Sequence, residues 1–205
     1  MDFLPALFYF LVIIPSAIMH EYAHGWMADR LGDPTARYAG RLSLDPRVHI
    51  DPIGSLVLPL LLFFSTGGRF LFAYAKPVPF NPNNLRDRRW GPVYVALAGP
   101  LMNFTIAFVV GLIVRVLPGS TFSLLLSIIV YANVLLGVFN CVPIPPLDGS
   151  KLLFAFLPNS MENIKIFLER FGFVLVLIFV FYFSWVINPV VDFLVDFFTG
   201  GMSLF

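Results

Sequence analysis

The sequence predicts an all-α polytopic membrane protein, and three observations carry that prediction. Hydrophobic residues make up 59% of the 205 and charged residues only 12%, against roughly 45–50% apolar and about 25% charged in soluble domains. The 24 phenylalanines help raise the aromatic content to 17%, more than a water-facing surface tolerates. Apolar runs also recur at the length a helix needs to cross a hydrocarbon core, about 20 residues. The expected architecture is about four transmembrane helices, a short re-entrant or fifth apolar segment and a small extended or β segment. All of it is expected to lie in one membrane-embedded domain, residues 1–205.

The first apolar run spans about Phe3 to Met27. It has neither the basic leader nor the small-residue cleavage site of a signal peptide, so it is read as a retained span. A shorter run, Ile53 to Phe64, follows Asp51-Pro52, contains Pro59 and stops at Gly67-Gly68. That length suits a segment that dips into the membrane and returns; a thin or tilted crossing is the alternative. Arg30, Arg37, Arg41 and Arg47 precede it, and Arg69, Lys76, Arg86, Arg88 and Arg89 follow it. Re-entry keeps both basic groups on the cytoplasmic side, as the positive-inside tendency requires.

The stretch from Arg69 to Leu85 alternates aromatic and small residues around Pro77 and Pro79, a pattern for an extended edge and not for a helix. Around Ala75 to Phe80 such an edge can hold a substrate strand; a proline-stiffened connector is the alternative. Three further spans are expected at about Val93–Leu117, Phe122–Val142 and Ile166–Ile187, with a short interfacial helix after Pro189. The N-terminus and C-terminus then both lie outside.

Net charge is +1, so no basic field argues for nucleic-acid binding. The single cysteine, Cys141, excludes an internal disulfide framework and a multi-cysteine metal cluster.

His20-Glu21-Tyr22-Ala23-His24 is the strongest local signal. Residues four apart share a helix face, so both imidazoles can reach one ion. Glu21, one position along, can act on water without being a ligand. The chain holds three histidines and three glutamates, which makes chance assembly of the pattern improbable. Ionisable groups at the end of an apolar helix are costly and usually functional.

A catalytic zinc site needs a third protein ligand. Glu162, Glu169 and His49 are candidates in unconvincing contexts. Asp148 is preferred: it closes Asn140-Cys-Val-Pro-Ile-Pro-Pro-Leu-Asp148-Gly149, where three prolines break the helix and free the backbone to bend. The competing reading of Asp148 is a helix cap.

With HEYAH in the first span, AGPLMN at Ala98 to Asn103 and NCVPIPPLDG at Asn140 to Gly149, the chain resembles the site-2 proteases, which are intramembrane zinc metalloproteases. His49-Ile-Asp-Pro-Ile-Gly-Ser and Ala75-Lys-Pro-Val-Pro are similar to the short members that lack PDZ and CBS domains. The resemblance implies one Zn2+ per chain held by His20, His24 and Asp148, with Glu21 as general base. It also implies Asn140 at the substrate backbone or oxyanion. Asn103, Ala75 and Val78 are expected to contact substrate. The expected partners are transmembrane protein or peptide substrates in the lipid bilayer. The expected location is the cell membrane of a prokaryote, with the active site near the cytoplasmic face. Two other classes use the same residues: a non-catalytic binder of membrane helices, for which Glu21 has no use, and a zinc transporter, for which the spans offer few polar residues.

Overall fold

The computed structural model describes residues 3–57, 61, 64, 75–117 and 120–201. Helix α1 (Phe3–Arg30) is 28 residues long, about 42 Å at 1.5 Å per residue. Two single-turn helices follow, α2 (Thr35–Tyr38) and α3 (Pro46–His49). Pro46 opens α3 and the Asp45 side chain accepts the Arg47 N–H, as a proline start with an aspartate cap should. Then come α4 (Gly91–Val116), α5 (Thr121–Asn140), α6 (Gly149–Phe156), α7 (Glu162–Ile178) and α8 (Asn188–Thr199). A π turn at Phe179–Phe183 and a 3-10 turn at Ser184–Val186 extend α7.

Three described helical stretches are long and apolar enough to cross a membrane: Gly91–Val116, Phe122–Asn140 and Glu162–Val186. They match the second, third and fourth expected spans, and they make this an integral membrane protein. The first expected span forms α1. The short apolar run begins as a π turn, Pro52–Val57, and most of the remainder, with residues 69–74 of the expected extended segment, lies outside the described residues. Residues 75–80 carry no strand, so the expected β segment has no counterpart among the described residues.

Helices α1, α4 and α5 pack on one another, and α8 lies against α4 and α5. Lipid is as apolar as leucine, so this packing depends on close fit and not on exclusion of water. Ala107, Val114, Val130, Val134 and Val191 fill the centre. Gly137 brings α5 onto the Phe104 ring, where a Cβ would sit 2.7 Å from the nearest ring carbon. The α8 segment, expected as a short interfacial helix, is helical and buries Val191, Val195 and Thr199 against the bundle. Arg115 caps its last turn by donating to the Phe197 and Phe198 carbonyls. The stretch Glu162–Val186 is the exception: 11% of its apolar window is buried, against 39% and 44% for the other two spans. It is therefore exposed on nearly every side.

Candidate metal centre

The last three turns of α1 place His20 and His24 on one face, rings 4.6 Å apart and almost perpendicular. Ligand atoms of His20, Glu21 and His24 lie within 4.8 Å of one another. Facing them, Asp148 Oδ2 is 3.0 Å from His20 Nε2 and 3.3 Å from His24 Nε2. Two imidazole nitrogens and a carboxylate oxygen from residues 128 and 124 positions apart thus converge on one point.

The loop after α5 makes that convergence possible. A Cβ at Gly149 would lie 2.2 Å from the Cys141 carbonyl oxygen, so the chain can fold back this tightly only with glycine there. Asp148 stands at the start of α6 yet caps nothing; its carboxylate is turned to the histidines instead. The helix-cap alternative is not what the fold uses.

The outer nitrogens of both rings are spoken for. His24 Nδ1 lies 2.7 Å from the Val95 carbonyl, and His20 Nδ1 lies 2.6 Å from Asn103 Oδ1. A carbonyl or amide oxygen only accepts, so each Nδ1 carries a proton and donates it. In the neutral ring Nε2 then has a lone pair, and both lone pairs point at the Asp148 carboxylate. Three acceptors facing one another repel unless a cation, either a proton on one of the rings or a metal ion, lies among them. The donor set, two imidazoles and a carboxylate with backbone and side-chain partners behind the rings, fits a zinc ion.

Helix α4 sets how closely the rings can approach. Gly99 packs directly beneath them: a Cβ there would be 2.5 Å from His24 Nε2 and 2.6 Å from His20 Nε2. Pro100 beside it has no N–H to give the Ala96 carbonyl four residues back, and Val95, which accepts from His24, belongs to the turn before.

Glu21 faces residues 75–81. Its Oε2 accepts the Val78 N–H at 2.8 Å. The loop after α1 pins the rest of that segment. The His49 carbonyl accepts from Lys76 N–H, Arg41 donates to the Lys76 carbonyl, and the Asp33 carboxylate accepts from Asn81 N–H. Asp33 is fully buried. Burial pushes its carboxyl up, but donors from Thr35, Asn84 and Asn81 outweigh that and hold it below the usual carboxylate range. The Asp33 carboxylate therefore staples Asn81 and Asn84 to the end of α1, with Val78 strung between that staple and Arg41.

Of the residues singled out from sequence, the fold gathers His20, Glu21, His24 and Asp148. Val78 touches Glu21, and Ala75 lies half-buried in the same segment. Asn103 stands behind His20 at zero exposure, so its contact is with a ring and not with a molecule entering the site. The Asn140 amide donates one hydrogen to the Leu136 carbonyl of its own helix at 2.9 Å. The alternative third ligands fall away. His49 is buried and its Nε2 lies 2.7 Å from the Ser43 carbonyl; Glu162 pairs with Lys165 and Glu169 with Lys151. Val95, Asp33, Ser16 and Asn133 escaped the sequence reading. A polar residue inside an apolar run was the available signal for Ser16 and Asn133.

Comparison with known proteins adds an independent line. The profile of peptidase family M50 matches residues 115–179, a stretch that includes Asp148. YwhC of Bacillus subtilis, provisionally named a zinc metalloprotease, is 31% identical over 178 residues, 82% of this chain and 77% of YwhC. Rip2 of Mycobacterium tuberculosis, also provisionally named a zinc metalloprotease, is 30% identical over 166 residues, 80% of this chain and 62% of Rip2. The chain thus spans about three quarters of the first relative and under two thirds of the second. No solved structure matches.

Proposed function

We propose, because the chain belongs to peptidase family M50 of site-2 zinc metalloproteases, that it hydrolyses peptide bonds within or at the edge of transmembrane segments of other membrane proteins. The observation that carries this reading is the convergence of His20 Nε2, His24 Nε2 and Asp148 Oδ2 beside the Glu21 carboxylate, on helices of a membrane bundle.

His20, His24 and Asp148 would hold one zinc ion per chain. Bound there, zinc would polarise a scissile carbonyl and acidify water beside it. Glu21 takes the proton from that water and passes it to the leaving amine. Val78 N–H holds Glu21 Oε2, which leaves Oε1 as the oxygen for proton transfer. Asn140 has a second amide hydrogen not needed by Leu136, and that hydrogen serves the developing oxyanion.

A helical substrate hides its carbonyls, so it must unwind locally before it can be cut. Residues 75–80 receive the unwound strand. The N–H groups of Lys76 and Val78 are engaged and Pro77 and Pro79 have none, so this segment offers a docking strand acceptors more than donors. The basic residues of the loop after α1 follow the site closely in the chain, which supports a position near the cytoplasmic face. With α1 as the first of four crossings, both termini lie outside, in the cell membrane of a prokaryote. Residues 1–205 act as one catalytic unit on transmembrane proteins or peptides.

Purified protein in lipid vesicles with a membrane-spanning reporter tests the reading. Products whose masses place the cut in or beside the apolar segment are expected. Cuts confined to aqueous tails, or zinc flux into the vesicles with no product at all, would contradict it.

A further inference from the structure

Three polar side chains lie together where α1, α4 and α5 cross: Ser16, Asn103 and Asn133. Asn103 and Asn133 have no exposure and Ser16 has 5%. Polar groups buried in a membrane bundle are costly unless every donor and acceptor is matched, and here the matching has a direction.

The Ser16 hydroxyl gives its proton to the Val12 carbonyl at 2.9 Å. Its lone pairs therefore receive Asn133 Nδ2, at 3.0 Å, and the same nitrogen donates to the Ile129 carbonyl at 2.9 Å. With the nitrogen fixed, Asn133 Oδ1 faces Asn103 and accepts from its Nδ2 at 3.0 Å. Asn103 Nδ2 also reaches the Ser16 carbonyl at 3.4 Å. The other end of the Asn103 amide, its oxygen, is left toward His20 Nδ1 at 2.6 Å. Each of the three side chains also gives a hydrogen to a backbone carbonyl that can only accept, so neither amide can turn over without losing a bond.

We propose that Asn133, with Ser16 behind it, is a positioning residue for the metal centre. It holds the Asn103 amide in the one orientation that keeps the proton on His20 Nδ1 and the lone pair on Nε2, facing Asp148. With Asn133 truncated, the 3.0 Å bond is lost and only the longer one to the Ser16 carbonyl, at 3.4 Å, still holds the Asn103 amide against turning its NH2 group to His20. Such a turn favours the tautomer with the proton on Nε2, where a metal ion has to bind. The proposal rests on the reading of His20 as a zinc ligand. Plain interhelical packing makes a different forecast: loss of the network lowers stability and leaves metal affinity alone.

The test measures zinc affinity by competition with a chromophoric chelator, and thermal unfolding of the metal-free form, on purified whole protein in lipid. The set is wild type, His20→Ala, Asn133→Ala and Ser16→Ala. Asn133→Ala is expected to weaken zinc binding about 10–100-fold, the usual cost of losing a partner behind a metal-bound histidine, and Ser16→Ala to weaken it less. Wild-type affinity in both variants overturns the proposal, even if their unfolding temperatures fall. If Asn133→Ala does not fold, Ser16→Ala decides by the same criterion. His20→Ala separates the two layers: unchanged zinc binding there removes the ligand reading itself, whereas lost zinc binding there with normal binding in the other two removes only the role of Asn133.

Discussion

Glu21→Gln is expected to leave the protein folded and zinc-loaded while slowing cleavage of a membrane reporter by about 10²–10⁴-fold, the range a positioned general base contributes. The substitution is nearly isosteric. The glutamine oxygen can still accept the Val78 N–H, so residues 75–81 keep their anchor on α1. What disappears is the ability to take a proton. Because that interaction is made only in the transition state, the loss should fall on kcat with KM little changed. Steady-state kinetics and zinc per chain measured on one preparation check the forecast. A wild-type rate in the variant would remove Glu21 from the chemistry, and loss of zinc would show it to be a ligand instead.

Gly99→Ala is expected to disable the centre from beneath, through sterics alone. The added carbon falls 2.5 Å from His24 Nε2 and 2.6 Å from both Nε2 and Cε1 of His20. Helix α4 cannot back away easily, since Val95, Ala96, Ala98 and Pro100 around it are all buried. The two rings must therefore move, and a displacement of about 1 Å at a reacting centre can cost on the order of 100-fold in rate. Alanine favours a helix over glycine by about 1 kcal/mol, which offsets part of the overpacking cost of about 1–3 kcal/mol. The expected signature is a metal-free protein of near-normal thermal stability that binds zinc poorly and cleaves at least about 100-fold more slowly. Normal zinc content and rate would mean that the rings sit elsewhere in the working enzyme.

Much of this centre was legible in the sequence because its parts obey short-range rules. HEYAH is readable since a helix puts residues four apart on one face. Asp148 is readable since three prolines and a glycine announce a backbone break that can aim a carboxylate. Long-range geometry was not legible. Nothing in periodicity says that Asn103 faces His20 and not an incoming substrate, or that Ser16 and Asn133 meet behind it; those pairings follow from how α1, α4 and α5 cross. The extended segment was half legible. Pro77 and Pro79 ruled out a helix, but its Val78 N–H goes to Glu21, its Asn81 N–H to the buried Asp33 and its Lys76 N–H to the His49 carbonyl, so the described part pairs with side chains and a loop carbonyl and not with another strand. Helix α8 was legible as a short amphipathic helix, but its alternating apolar and acidic positions did not show that the groove between α4 and α5 takes its apolar face.

Zinc K-edge absorption with metal stoichiometry on wild type and Asp148→Ala shows most directly whether Asp148 closes a three-cornered zinc site. The wild type should bind one zinc per chain with two imidazole nitrogens at about 2.0–2.1 Å and a carboxylate oxygen at about 2.0–2.2 Å. Asp148→Ala should lose the oxygen and most of the metal. Unchanged stoichiometry and an unchanged ligand shell in Asp148→Ala would contradict the account and move the third corner to another residue.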